Sequence, residues 1–523
     1  MNRLSAGLKV AHCSTFQRTR PITLLRTHKN MSTVGINIGS RPEDEARAVG
    51  SRVKKFLTVE NLNPRVVEAE YAVRGELVIR AEEHQKTLKE QQTSGVRKLP
   101  FDDLVFCNIG NPQSLQQKPL TFFRQYLSLM ENPDLLKEPL IEKIYPADVI
   151  RRAKDRISKF PGTGAYSHSK GLPFVRNAIA QFLHKRDGIP ANPEDLYLYN
   201  GASPAVQNAL RLFVKGEEDG IMIPIPQYPL YSASIKLLGG TQLGYYLDEE
   251  KEWSTDISEL ERVYNDSVSR GVTPRALVVI NPGNPTGQVL SEASMQAAIR
   301  FCQEKKVVLM ADEVYQENVY IKKDRPFNSF KKLFSFHSIS KGFLGECGHR
   351  CGYVEITNVD EEVKAQMYKL SSILLCPNTS GQLLMECMVD PPKEGDESHS
   401  LYVKERDDIY DSLKRRAQKL TNFLNTLEGV TCNSAEGAMY AFPQIRLPDK
   451  AVAAAKKVGK KPDDFYAIRL LDAAGVVVVP GSGFGQKDNT LHFRTTFLPP
   501  ESQIEGVMKR LGEFHKKFMD EYR

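Results

Sequence analysis

The chain of 523 residues reads as an α/β protein, with a large domain on a mostly parallel sheet and a smaller α+β domain beside it. Three observations predict this. From about residue 195, short apolar runs rich in β-branched residues alternate with helical patterns. Those runs are apolar on both faces, as strands are when helices cover both sides of a parallel sheet. Beyond about residue 385 the pattern changes to long amphipathic helices with a few strand-like pieces.

The strand-like runs are residues 196–199, 220–224, 276–280, 307–310 and 333–336, with helical patterns such as 204–214 and 292–304 between them. In such sheets the chemistry gathers at the carboxyl ends of the strands. Each run ends in polar, glycine or aromatic residues. In order these are Gly201-Ala202-Ser203, Gln227-Tyr228-Pro229, Asn281-Pro-Gly-Asn-Pro-Thr-Gly287, Asp312-Glu-Val-Tyr315 and Ser338-Ile-Ser-Lys341. Five such endings at one edge point to one site. The last stretch carries an amphipathic helix over 405–427 and strand-like pieces at 476–480 and 490–495. Residues 43–155 are charged and mostly helical, with a loop at Asn108-Ile-Gly-Asn-Pro112. The expected division is 1–42 as a targeting segment and 43–125 as an N-terminal arm with part of the small domain. Residues 126–384 then form the large domain and 385–523 the C-terminal small domain.

The net charge of +7 is not a sign of a nucleic-acid partner. Residues 1–42 hold seven basic residues (Arg3, Lys9, Arg18, Arg20, Arg26, Lys29 and Arg41) and no acid, so the rest of the chain is neutral. An acid-free segment rich in Arg, Ser and Thr predicts a mitochondrial transit peptide and a matrix location, with Met31 as a start for a cytosolic form. There is no apolar run of about 18 residues, so no membrane span is expected. The eight cysteines are scattered and predict free thiols. Cys347 and Cys351 flank His349, but no second pair lies at zinc-site spacing, so no metal is expected.

Lysine is costly near a packed interior unless its charge is used. Lys341 lies among small hydroxyl residues, and Arg350 follows among glycines. A lysine that condenses with a cofactor aldehyde fits this pattern, and pyridoxal phosphate is the usual aldehyde. Its phosphate needs a cradle of N–H and hydroxyl groups and a forked cation; Gly201, Ala202, Ser203, Ser338 and Arg350 suit. Its ring nitrogen needs a carboxylate, for which Asp312 is placed. The phenolic oxygen needs donors, and Asn284 and Tyr315 qualify. Tyr228 can stack on the ring. Taken singly, each has a plainer role as helix cap, turn residue, core aromatic or loop hydroxyl; the ordered set at successive strand ends is what points to the cofactor.

The order NPGNPTG, ADEVY, SISKGFLGECGHRCG resembles the fold-type I, class I pyridoxal-phosphate aminotransferases. Longer segments resemble their alanine aminotransferase branch: Glu70-Tyr-Ala-Val-Arg-Gly75, Asn108-Ile-Gly-Asn-Pro-Gln113, residues 222–232 and 246–250, Gly437-Ala-Met-Tyr-Ala-Phe-Pro443 and Val479-Pro-Gly-Ser-Gly-Phe-Gly485. The likeness runs from about residue 55 to the end. It implies a seven-stranded sheet and a ping-pong exchange of L-alanine and 2-oxoglutarate with pyruvate and L-glutamate. It makes Lys341 the catalytic base and Arg494 the grip on the substrate α-carboxylate. Asn284 also lies against substrate, and Gly110 lies beneath it. Tyr166 becomes the residue that reaches the cofactor phosphate of a neighbouring subunit, hence a homodimer. Arg74, Lys170 and Arg176 are candidates for glutamate's distal carboxylate because they are basic and N-terminal.

Two features depart from that family. Cys351 follows Arg350 where glycine is usual, which predicts crowding. The segment 326–336 is short, which predicts a shortened approach strand to Lys341. A glutamate:glyoxylate aminotransferase shares most of the motifs, but its peroxisomal address is absent. A non-catalytic relative would be expected to lack the lysine or to add a DNA-binding segment. A Rossmann dehydrogenase would need G-x-G-x-x-G between strand and helix, which neither Gly481-Ser-Gly-Phe-Gly485 nor Gly162-Thr-Gly164 supplies.

Overall fold

The computed structural model describes residues 57–71, 75–331 and 333–523. The expected targeting segment and Arg74 lie outside them. The chain divides into two units, Met1–Asn61 and Leu62–Arg523. The described part of the first holds a 3-10 turn, Val59–Asn61.

The centre of the second unit is a seven-stranded sheet. In chain order the strands are β1 Leu196–Tyr199, β2 Asp219–Ile225, β3 Thr241–Tyr246, β4 Thr273–Ile280, β5 Val308–Asp312, β6 Phe334–Ser338 and β7 Gly352–Ile356. They lie in the order β1-β7-β6-β5-β4-β2-β3. β7 pairs antiparallel with both β1 and β6, and the other pairs are parallel, so β7 alone runs against the rest. The five runs read from the sequence are the five strands whose ends meet the site. β3 and β7 lack that signature. β3 is an edge strand with a glycine and alternating burial, and β7 opens on Gly352 and carries Glu355. Neither is a continuous apolar run.

Apolar side chains pack on both faces of the sheet. Phe334 and Phe336 of β6 join Val206, Ala209 and Leu210 of the helix Ala202–Phe213 on one side. On the other, Leu277 and Val279 of β4 meet Met295, Ala298 and Phe301 of the helix Glu292–Lys305. That helix starts at Ser291, whose hydroxyl accepts the Ser294 N–H at 3.2 Å, an N-cap that satisfies an otherwise unpaired donor.

A separate core joins distant parts of the chain. Leu77 and Ala81 of the helix Glu76–Ser94 pack with Leu413, Leu420, Tyr466, Leu470, Phe514 and Phe518 from the last three long helices. Beside them Tyr440–Ala441, Phe493–Thr496 and Val479–Pro480 form a three-stranded sheet. The short strand Val105–Phe106 pairs with Val476–Val477 and leads into the loop holding Asn108 and Gly110.

The short segment before Lys341 does not cost strand pairing. All five residues of β6 pair with β7, and three pair with β5. The chain instead turns through Lys331 (φ 36°) and Leu333 (φ 59°), where backbone strain replaces length. Glu313 holds the turn, accepting the Phe330 N–H and the Ser329 hydroxyl at 2.7 Å each. The crowding expected from Cys351 is likewise absorbed. The side chain is fully buried, and a Cβ built on Gly381 of the helix Thr379–Val389 would lie 3.1 Å from the Cys351 Cβ. Glycine on the facing helix makes the room.

Candidate active site

The strand ends open into a cavity of about 560 Å³. Lining it are Ala202 and Ser203 after β1, Tyr228 after β2, Asn284 after β4, Asp312 and Tyr315 from β5 onward, Ser338 and Lys341 from β6, and Arg350 before β7. From the second core come Gly110 and Arg494. Gly201 stands behind them and Tyr166 stands elsewhere, 79% exposed.

At one end, Gly201 (φ 93°) turns the chain from β1 into its helix. The helix N-terminus is a natural anion site, and the Arg350 guanidinium lies against it. A Cβ on Gly201 would stand 2.4 Å from Arg350 Nη2, so both the left-handed φ and the close approach require glycine there. Arg350 donates to Asn200 O at 2.9 Å and Cys347 O at 3.1 Å, which fixes the fork. Ser338 is less free: its hydroxyl donates to Cys351 O at 3.0 Å and accepts the Ser340 N–H at 3.1 Å.

At the other end Asp312 is buried. Burial raises its carboxyl above the usual range, against the opposing pull of the Tyr231 hydroxyl, the Val314 N–H and Lys341. Tyr231 donates to Asp312 Oδ2 at 2.8 Å, and the Val314 N–H donates to Oδ1 at a longer 3.4 Å. A buried carboxylate of this kind calls for a cation opposite it.

Lys341 Nζ projects between these ends, donating to Gly110 O at 3.1 Å and lying 5.7 Å from the Tyr315 ring centroid. Arg494 is buried, its guanidinium carbon 4.1 Å from the Tyr440 centroid and 4.6 Å from that of Phe484. Clamped between these rings, it donates to Asn284 Oδ1 at 3.0 Å and to Asn108 O, while its Nε has no protein partner. Because Asn284 gives Arg494 its oxygen, its NH2 is left to donate into the cavity. Tyr228 and Tyr71 share a hydroxyl–hydroxyl bond of 2.7 Å above the opening.

Two basic candidates from the sequence are committed elsewhere. Lys170 donates to Glu194 O at 2.8 Å and sits 4.8 Å over the Tyr197 ring. Arg176 bonds Pro193 O and Glu194 Oε1 at 2.8 Å each. Neither lines this chain's cavity; both tie the segment around the start of helix Pro173–Asp187 to the turn before β1. Conversely, Tyr71, Asn111, Ser340, Cys347 and Tyr440 line the cavity without having been assigned a part, and Tyr231 buttresses Asp312 from behind. Tyr231 follows Tyr228 by three residues, one helical turn, which is the signal that could have found it. Tyr440 belongs to a strand far along the chain, and local pattern says nothing of its destination.

The donor set fits pyridoxal phosphate: an anion cradle with a fixed arginine, a buried carboxylate lacking a cation, an amide donor between them, a stacking tyrosine, and an amine within the same cavity. A fold with this site defines a lysine-bearing, pyridoxal-phosphate-dependent transferase. The chain belongs to the class I and II aminotransferase family, whose model matches residues 138–511. It is 59% identical over 484 residues to a probable mitochondrial alanine aminotransferase of Dictyostelium discoideum, covering 90% of this chain and 91% of that one. It is 48% identical to glutamate–glyoxylate aminotransferase 2 of Arabidopsis thaliana, over 90% of this chain and 98% of the other. An alanine aminotransferase structure from Pyrococcus furiosus superposes with a TM-score of 0.66 at 24% identity, covering 87% of this chain and all of that one, which shows a shared fold.

Proposed function

We propose that the chain exchanges the amino group of L-alanine with 2-oxoglutarate, giving pyruvate and L-glutamate, in a ping-pong cycle. The observation that carries this reading is that two fixed arginines, Arg350 and Arg494, line one cavity together with Lys341. One suits a phosphate, the other a carboxylate, and the amine lies where a Cα would be presented.

Pyridoxal phosphate, when bound, supplies the electron sink for the pair left at the substrate's Cα. The rest falls to this chain. Arg494 grips the α-carboxylate by a bidentate fork. Gly110 leaves room beneath it: a Cβ there would lie 2.2 Å from Tyr440 Oη and 3.2 Å from Lys341 Nζ. Lys341 Nζ takes the Cα proton and later returns it, as base and then acid. Asp312 would hold the proton on the ring nitrogen. Asn284 would donate to the phenolic oxygen, with Tyr315 beside it, its own proton given to Tyr440. Tyr228 would cover one ring face.

Two copies form the working unit in this reading. Tyr166 is exposed, and His168 beside it stacks at 5.6 Å on Tyr368 of the helix Glu361–Ile373. That helix ends in exposed Ile373, Leu374 and Leu375, an apolar surface suited to a second copy. The basic segment 1–42 and relatives named mitochondrial support residence in mitochondria.

Initial rates with alanine and 2-oxoglutarate test the reading. Alanine turnover at least tenfold above that with glutamate and glyoxylate supports it. The reverse order favours the second reading, which the 48% identical glutamate–glyoxylate relative keeps in play.

A further inference from the structure

Tyr440 lines this site without a part in the reaction above, and it touches Arg494 and Tyr315. It sits on Tyr440–Ala441, the strand paired with Thr495 and Thr496 beside Arg494. Its ring lies 4.1 Å from the Arg494 guanidinium carbon. Its hydroxyl oxygen accepts the Tyr315 O–H at 3.3 Å and faces the Gly110 N–H. The Lys341 amine and the Tyr440 oxygen both lie within 3.2 Å of one point, the place a Cβ on residue 110 would occupy.

We propose that Tyr440 is a positioning residue of this reaction. Its ring holds the Arg494 guanidinium flat, and its oxygen holds the Lys341 amine at Gly110. One side chain thereby joins the carboxylate grip to the proton transfer. The inference rests on the aminotransferase reading and deepens it.

The chemistry of the surroundings supports this division of labour. A guanidinium stacked on aromatic rings is steadied while its N–H groups stay free for a carboxylate. Burial works to raise the hydroxyl's pKa, but Lys341, Arg494, the Tyr315 O–H and the Gly110 N–H outweigh it and bring it below the ordinary tyrosine value. Tyr315, the donor, is pushed the other way by burial and by Tyr440. The charged and titratable groups that face this oxygen are Lys341, Arg494, Tyr315 and Tyr228, with Asp312 acting on Lys341 from beyond. An electron-rich oxygen here attracts positive charge across the cavity; removing it takes that attraction away and frees the Tyr315 proton for the cofactor's phenolic oxygen, which acts in the same direction.

The test compares holoenzyme of the wild type, Tyr440→Phe and Tyr440→Leu. Tyr440→Phe keeps the ring and loses the oxygen. It is expected to leave KM for alanine within about twofold and to lower kcat about tenfold. The midpoint of the holoenzyme's absorbance against pH should move down by about one unit. Tyr440→Leu loses the ring as well and should in addition weaken binding of propionate, a carboxylate that cannot react, by about fivefold. A Phe variant with wild-type kcat and midpoint overturns the role of the oxygen. A Leu variant that binds propionate as tightly as the Phe variant overturns the role of the ring. The Phe variant removes one atom and keeps the packing, so it decides the first point even if the Leu variant does not fold. Failure of wild-type turnover with alanine would instead count against the proposed function. The absorbance midpoint and propionate binding read Tyr440 independently of that assay.

Discussion

Lys341, Asp312 and Arg494 each sit in an environment that predicts a different kinetic loss. In the proposed cycle Lys341→Ala removes the group that moves the Cα proton, so kcat should fall by more than about 10⁴-fold while the cofactor remains bound through the Arg350 cradle. Enzyme assay beside cofactor absorbance checks both halves. Arg494→Lys keeps the charge but loses the fork, and kcat/KM should fall about 10- to 100-fold, the scale of a charge-assisted hydrogen bond. Tyr231→Phe strips the 2.8 Å donor from Asp312. Burial already raises that carboxyl, and losing the donor raises it further. The acid limb of the kcat/KM profile should therefore move to higher pH, and an unmoved limb would show that Tyr231 does not act through Asp312. At this scale most of the site could be read from the chain, because each strand end carried a residue type suited to a distinct demand of one cofactor. Tyr440 and Tyr71 could not. Their contacts span Tyr440 to Tyr315 and Tyr71 to Tyr228, pairs set by tertiary packing rather than by spacing.

Among elements, the approach to Lys341 is the informative one. The short segment 326–336 predicted a shortened approach strand. The structure keeps β6 paired on both sides and places the strain in the turn at Lys331 and Leu333. Sequence length alone could not show this, since a deletion can be absorbed by a strained turn as well as by lost pairing. Glu313 fastens that turn. Burial pushes its carboxyl up to about 7, with Arg186 and the Ser329 and Phe330 donors opposing. Folded Glu313 thus keeps its proton to about pH 7, whereas unfolded Glu313 loses it near the ordinary 4.5. The folded state binds the extra proton between those values, so this group's contribution to stability falls as pH rises from about 4.5 through 7. Glu313→Gln removes the titration, and the slope of Tm against pH over that window should flatten, by an amount corresponding to about 3 kcal/mol at most. An unchanged slope would place the effect in other groups. β3 and β7 went unread for a related reason: an edge strand and a strand carrying a buried glutamate do not present an apolar run.

For the whole molecule, the N-terminal helix Glu76–Ser94 and the C-terminal helices share one core, and the loop carrying Gly110 is delivered to the cavity by pairing of Val105–Phe106 with Val476–Val477. The site is therefore completed by segments from before and after the central sheet, and no local stretch contains it. If Tyr166 serves a neighbour's site, two inactive chains should complement. A mixture of Lys341→Ala and Tyr166→Ala subunits, dissociated and reassociated, forms mixed dimers with one site free of both lesions, so activity should rise to about a quarter of wild type from statistical pairing. No gain over the parent variants would mean that Tyr166 does not cross the interface.

In the proposed function, Lys341 and its cavity carry an amino group between alanine and an oxo acid. Addition of L-alanine to purified holoenzyme, followed by absorbance in the near-visible range, is the test. The cofactor's band should fall on adding alanine and return on adding 2-oxoglutarate, with pyruvate released in the first step and glutamate in the second. A cofactor band that ignores alanine at saturating concentration would contradict it.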